Sequence, residues 1–238
     1  FKKKKIKLIY YSIRNFLLNS YFYTPVFKNF NKINFIYNFF YIPFLVDIKK
    51  KRYLQKKTIK ILFVGKFIPR KNLLLLLKTL YKLDNKYDFQ LTIIGEASKS
   101  EHYKFLKYSK KFIKKKNFNN KIIIKTNLKY RETIKYYKES DLFILPSKAE
   151  PASISVLEAM GYGIPVICSK GNGASFYVKN YYSGLLFDED NEKQLLDRIL
   201  FFFKNTKKIK TFSNNCYLHM KKNFSHIMFD KYFEKIIK

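Results

Sequence analysis

Apolar and polar positions follow two alternating rhythms along most of this chain. Short apolar runs at residues 59–65, 89–95, 121–126, 142–145, 164–168 and 185–187 predict buried strands, since a strand covered on both faces needs no polar side. Helical spacing fills the intervals. Residues 73–83 are strongly apolar, and 101–115 place Tyr103, Phe105, Leu106 and Phe112 among lysines. Residues 131–138, a short segment near 155–160 and the stretch from Glu192 onward are also predicted helical. Strands alternating with helices predict an α/β fold, a parallel sheet with helices on both faces.

Residues 1–58 lack this regularity. Strands are expected at 6–11 and 32–37, with an exit at Tyr41-Ile42-Pro43. The aromatic stretch 15–23 fits either element type, and the Lys/Arg-rich run 49–57 predicts a solvated linker. An isolated piece of sheet does not fold alone, so these residues are expected to belong to a domain mostly outside this chain. The chain opens on Phe1 and is itself expected to be a piece of a longer protein. No uncharged apolar run approaches the roughly 20 residues of a membrane span. Residues 33–46 are too short and are broken by Asn34, Asn38 and Pro43. A secretory leader pattern is also missing from the first residues.

Charge changes this picture in one respect. There are 49 Lys and Arg against 17 Asp and Glu, a formal net charge of +32. A nucleic-acid or anionic-membrane partner would account for it. So would a coding bias, because Lys, Asn, Ile, Phe and Tyr are abundant, there are 7 Gly, and Trp is absent. Under both readings anionic ligands and surfaces are attracted. Asp47 is the only acid among the first sixty residues, so that end is the expected membrane contact. The aromatics fall at core positions and form no RNA-binding motif, which argues against nucleic acid. Cys168 and Cys216 are far apart, and His102, His219 and His226 have no partner at ligand spacing. No metal site, no cofactor and free buried thiols are expected.

Two stretches carry candidate chemistry. The first strand-to-helix turn is Gly65-Lys66-Phe67-Ile68-Pro69-Arg70-Lys71-Asn72. A helix start presents unpaired N–H groups and a partial positive charge, which suit phosphate. Here Gly65 would let the backbone turn, Lys66, Arg70 and Lys71 would add cations, and Asn72 would cap the helix. The second stretch holds Glu150 and Glu158 with seven residues between them, the first in a loop after a strand and the second on the following helix. Ligands of open α/β sheets bind beside such loops. Carboxylates there would accept hydrogen bonds from sugar or ribose hydroxyls, or act as a hydrolase acid pair. They also have structural readings. Ser155-x-x-Glu158 matches a capping box, and Glu150 is a plausible solvated loop acid. Spacing alone leaves these alternatives open.

In order, these residues resemble the glycosyltransferase group 1 family (family 4), retaining enzymes of the GT-B fold. Ile61-Leu62-Phe63-Val64-Gly65-Lys66 with Lys71 is similar to its first strand and Gly-Arg…Lys-Gly turn. Leu91-Thr92-Ile93-Ile94-Gly95-Glu96 is similar to its second strand, and Asp141 to Ser147 to its Asp-x-hydrophobic-Leu-Pro-Ser strand. Glu150 and Glu158 match its E-x7-E signature, and Gly163-Ile164-Pro165, Gly173 and Ser183 to Phe187 follow in order.

The resemblance implies a Rossmann-like domain that binds a nucleotide-sugar donor, the C-terminal half of a GT-B enzyme. Gly65, Lys66 and Lys71 would hold the donor diphosphate, with Lys replacing a metal. Glu158 would bind the ribose, and main-chain groups near Leu128 the base. Glu150, Ser153, Ile154 and Gly173 would contact the donor sugar, with Glu150 as the candidate catalytic or positioning carboxylate. Residues 1–58 would end the acceptor-side domain, 59–222 would form the donor domain, and 223–238 would cross back as a helix. The implied activity is sugar transfer, with retention, to a glycan or lipid-linked acceptor in cell-envelope polysaccharide synthesis. The expected location is cytoplasmic, peripheral on the inner face of the membrane. The chain departs from the family pattern in several places. Lys66 stands for an Arg, Asn72 for a Gly, Ala97 for a Gly, and Pro151-Ala152-Ser153 for Gly-Phe-Gly. Pro151 has no N–H to donate. A basic nucleic-acid- or anionic-surface-binding module, and a truncated donor-binding half without turnover, are the alternatives.

Overall fold

The computed structural model describes residues 46–51, 58–118, 121–151, 153–225, 227 and 230. The strands expected before Val46, most of the linker run expected at 49–57, and most of the crossing helix expected at 223–238 lie outside the described residues.

Six strands form one sheet: β1 (Ile59–Val64), β2 (Phe89–Gly95), β3 (Ile122–Thr126), β4 (Leu142–Leu145), β5 (Val166–Ser169) and β6 (Gly184–Phe187). The order is β3-β2-β1-β4-β5-β6, and all five pairings are parallel. Among the described residues six α-helices cover it: α1 (Leu73–Tyr81), α2 (Ser100–Lys115), α3 (Tyr130–Glu139), α4 (Ile154–Gly161), α5 (Glu192–Lys204) and α6 (Thr206–Phe224). Contacts group α2, α1 and α5 on one face; α3 packs on β1 and α6 on α4. The expected α/β sheet, Rossmann-like with helices on both faces, is therefore present, with boundaries within a few residues of those expected.

The central strands explain their composition. Ile61, Leu62 and Phe63 of β1 and all four residues of β4 are buried, so neither strand has a solvated side. Asp141 ties the two together. It precedes β4, is buried, and its Oδ2 accepts the Lys60 N–H at 2.9 Å. The α1 helix buries Leu73, Leu76, Leu77 and Leu80 against this sheet. Each such leucine contributes roughly 1.5–3 kcal/mol.

Asn72 holds the N-cap place of α1 but does not cap it. Its backbone is left-handed (φ 53°) and no side-chain cap bond forms; the amide instead donates to Asp190 Oδ1 at 3.0 Å. Residues 46–51 have no regular structure, yet they are docked. Val46 is buried, the Lys49 N–H donates to Gly161 O at 2.8 Å, and Lys51 Nζ donates to Ser140 O. The expected solvated run thus begins with a segment pinned against the end of α4.

Candidate functional site

The chain order of the sheet reverses between β1 and β4, which are neighbours although three crossovers separate them. Crossovers leaving a parallel sheet in opposite directions open a crevice at the carboxyl ends of the strands. The turn after β1 and the loop after β4, the two stretches singled out in the sequence, both open into that crevice.

Lys71 ends a 3-10 turn (Pro69–Lys71) and is buried. Its Nζ lies 2.8 Å from Glu150 Oε2, and Arg70 Nη1 lies 3.3 Å from the same oxygen. Both contacts are ion pairs set off the ideal hydrogen-bond directions of that oxygen. Burial pushes the Lys71 pKa below the usual lysine range. Glu150 opposes this, while Arg70 and Lys66 add to it. Gly65 serves this lysine through space. A Cβ there would sit 3.2 Å from Lys71 Cδ, whereas only Gly163 among the described glycines has the left-handed φ that a turn would need. The expectation that Gly65 releases the backbone is corrected accordingly: it makes room for the Lys71 stem. Lys66 points away, with Nζ 3.4 Å from Glu96 Oε2 and its side chain half exposed.

Glu150 is 5% exposed, so it is not the solvated loop acid that composition also allowed. Its main chain is zipped to the loop after β5. The Glu150 N–H donates to Gly171 O at 3.1 Å, and the Gly173 N–H donates to Glu150 O at 2.7 Å. Asn172, fully buried, ties both loops together: Nδ2 donates to Ser147 Oγ at 2.9 Å and Oδ1 accepts the Ala174 N–H at 2.9 Å. Next to Glu150, Ala149 holds a left-handed backbone (φ 40°), and its N–H donates to Glu189 Oε1 at 2.6 Å. The Lys148 N–H donates to Arg70 O at 2.8 Å, joining this loop to the Lys71 turn.

The α4 helix starts beside Glu150. Ser153 occupies its N-cap position without a side-chain cap bond, and Ser155 Oγ donates to Val64 O at 3.2 Å. Among the described residues, the N–H groups of Ile154 and Ser155 take no main-chain partner. The capping box is not formed. Because the helix begins at Ile154, Glu158 lies beyond the third helical position and cannot reach back. Its Oε2 accepts instead from the phenol of Tyr137 at 2.8 Å. Burial raises the Glu158 pKa, the nearby charge of Asp47 adds to this, and the Tyr137 hydrogen bond opposes it.

The structure therefore brings Gly65, Lys71, Glu150 and Gly173 into one cluster, with Ser153 and Ile154 at the adjoining helix start and Glu158 farther along that helix. Lys66 is in the turn but engaged with Glu96. Leu128 follows β3, two strands away from β1. Its neighbour Asn127 bonds both main-chain groups of Ala97, at 2.7 and 3.1 Å, joining the loops after β2 and β3. Sequence reasoning missed Asn172 and Tyr137. Both are buried polar groups whose partners are distant in sequence, and no local pattern announces them. Among the described residues, no group of three or more His, Cys, Asp or Glu could hold a metal.

Residues 46–219 match the family model described as Glycosyl transferases group 1. A UDP-Gal:alpha-D-GlcNAc-diphosphoundecaprenol alpha-1,3-galactosyltransferase from Escherichia coli is 30% identical over 175 residues, which cover 71% of this chain and 43% of that protein. The crystal structure of a glycosyltransferase from Rickettsia africae superposes with a TM-score of 0.69 at 26% identity, over 77% of this chain and 49% of that one. Anabaena HepE in complex with UDP and glucose superposes with a TM-score of 0.68 at 17% identity, over 76% of this chain and 48% of that one. The chain spans about half the length, or less, of these relatives. Since the family model covers most of the chain, this chain belongs to the glycosyl transferases group 1 family.

Proposed function

We propose that this chain is the donor-binding half of a retaining glycosyltransferase of the hexosyl type. It would take a sugar from a nucleoside-diphosphate donor and pass it to a glycan or lipid-linked acceptor in cell-envelope polysaccharide synthesis. The observation that carries this reading is the buried Lys71–Glu150 pair at 2.8 Å, at the mouth of the β1/β4 crevice. A cation and a carboxylate are held side by side where a ligand enters. An incoming diphosphate competes for the ammonium, and sugar hydroxyls compete for the carboxylate. The uncharged N–H groups at the start of α4 add donors for phosphate or sugar oxygens.

In this reading Lys71 is the main diphosphate contact, Arg70 a second cation, and Lys66 joins after leaving Glu96. As the bond to the sugar breaks, charge builds on the leaving diphosphate. A fixed ammonium in a dry crevice stabilises that charge, so the reaction runs without a metal. Glu150 is paired with two cations, which suits it to positioning the sugar rather than to nucleophilic attack. Gly173, Ser153 and Ile154 line the sugar side, Glu158 accepts from the ribose, and main-chain groups at Leu128 meet the base. The acceptor side is supplied by a domain lying mostly outside these residues, with 1–58 as its end and 223–238 crossing back to it. The excess positive charge supports a place on the cytoplasmic face of an anionic membrane.

The test is titration of UDP, GDP and ADP into the chain without metal, by calorimetry, for wild type, Lys71→Met and Glu158→Ala. Micromolar binding of one nucleotide, weakened at least about tenfold by each substitution, supports the assignment. If no nucleotide binds, or both variants bind as wild type does, it fails. The stereochemistry is read separately, from the anomeric configuration of the product by NMR once an acceptor is in hand.

A further inference from the structure

Tyr137 is fully buried on α3, yet its phenol donates to Glu158 Oε2 at 2.8 Å. The ring cannot turn. It stacks on Tyr162 with centroids 5.5 Å apart and planes at 5°, and on Phe143 of β4 at 6.3 Å and 28°. Tyr162 is anchored in turn, because its phenol donates to Asp47 Oδ2 at 3.2 Å and is hydrogen-bonded to Tyr130. A column of three rings thus runs from the sheet to the docked segment 46–51, and the middle ring carries the hydroxyl that meets Glu158.

A carboxylate on a two-carbon stem rotates freely unless one oxygen is held. Tyr137 holds Oε2, and the other oxygen, Oε1, takes no partner among the described residues. The carboxylate therefore presents one oriented acceptor. We propose that Tyr137 is a positioning residue for ribose recognition, fixing Glu158 so that Oε1 faces the ribose hydroxyls and the site discriminates ribo- from deoxyribonucleotides. This rests on the reading of Glu158 as the ribose contact. Tyr137 touches no ligand itself; it acts by orienting Glu158 and by supplying a hydrogen bond that only the buried phenol can give.

The experiment compares the affinity of the tightest-binding nucleotide among UDP, GDP and ADP with that of its 2′-deoxy analogue. The full chain is used as wild type, Tyr137→Phe, Glu158→Gln and the double variant. Wild type should prefer the ribonucleotide by roughly tenfold, the size of one charge-assisted hydrogen bond. Tyr137→Phe keeps the ring stack and should erase most of that preference while leaving deoxynucleotide affinity nearly unchanged. In Glu158→Gln the phenol selects the amide oxygen and turns the NH2 group toward the ribose, which should also erase the preference. The double variant should be no worse than either single one.

A Tyr137→Phe chain that weakens both nucleotides equally and keeps the wild-type preference overturns the inference while leaving Glu158 as the ribose contact. Additive losses in the double variant overturn it as well. Wild type that binds nucleotide without ribose preference overturns the Glu158 assignment and this inference together. Wild type that binds no nucleotide overturns the proposed function itself. Should Tyr137→Phe fail to fold, the ribose preference of Glu158→Gln against Glu158→Ala decides. A phenol that orients the amide makes Gln worse than Ala for the ribonucleotide, and equal affinities overturn the inference.

Discussion

Lys71 and Glu150 hold each other in place without ligand, and the energetics of that pair decide what single substitutions do. Two buried charges are costly to desolvate, and removing Lys71 leaves the buried Glu150 with only the more exposed Arg70. Lys71→Met should destabilise the chain by about 3 kcal/mol, read by urea denaturation. The double variant Lys71→Met/Glu150→Leu should recover most of that loss, because it removes the buried carboxylate left with Arg70 alone. Glu158 is a different case. Its pKa lies above the ordinary range through burial first, so the folded chain binds more protons than the unfolded one between about pH 4.3 and that raised value. Stability therefore falls as pH rises through this window and is flat above it. Nucleotide affinity should run the opposite way, weakening as pH falls through the same window, since a protonated carboxyl is a poorer acceptor. Glu158→Gln should abolish both slopes, apart from the titration of the diphosphate itself. Calorimetric titrations across pH 4.5–8 check this; a slope that survives the substitution belongs to another group.

Packing between elements sets where those residues stand. Phe67, in the turn after β1, is fully buried against Gly95 at the end of β2, and a Cβ at Gly95 would collide with its ring. Gly95→Val should overpack this contact at a cost of about 2 kcal/mol, lowering the melting temperature. It should also weaken diphosphate binding, because the displaced Phe67 lies in the turn that carries Lys71. The loop after β4 depends on another element. Glu189, following β6, accepts the Ala149 N–H and supports a backbone conformation that a residue with a Cβ adopts reluctantly. Glu189→Ala should raise amide exchange at Ala149 and Glu150 while the β1 and β4 amides stay protected. Uniform exchange across both strands would show a global loss of stability instead. Helix and strand positions were legible in the sequence because most apolar runs match the burial of their element; β3 is the exception, an edge strand whose residues are half-buried or exposed although its run predicts a buried strand. The start of α4 was not. Ser155 and Glu158 have capping-box spacing, but the N-cap falls two residues earlier, at Ser153, and Ser155 bonds to Val64 of β1.

Charge acts on the molecule as a whole. With +32 net, the chain should sediment with vesicles containing anionic lipid at low salt and be released as salt rises, because screening shortens the reach of each exposed lysine. Glu158→Gln and Lys71→Met should leave that binding unchanged, as neither alters the net charge by more than one. A loss of vesicle binding with either variant would tie the surface contact to the crevice. Among the described residues no helix is long and apolar enough to cross a membrane, so the attraction tested here is electrostatic. The docked segment 46–51 belongs to this scale as well. It bonds Ser140, Gly161 and Tyr162, all far along the chain from it.

By itself the sequence determined the alternation of strands and helices, the burial of the central strands, and the identity of the two carboxylates and the basic turn. Those features follow from local side-chain chemistry and from periodicity, which neighbouring residues already express. Only the tertiary structure decided that Lys71 meets Glu150, that Lys66 turns to Glu96, that Gly65 serves a side chain rather than a turn, and that Tyr137 holds Glu158. The Lys71–Glu150 pair crosses the reversal of strand order at β1 and β4, Lys66–Glu96 joins the loops after β1 and β2, and Tyr137–Glu158 joins the helices on either side of β4; the periodicity along the chain announces none of these contacts.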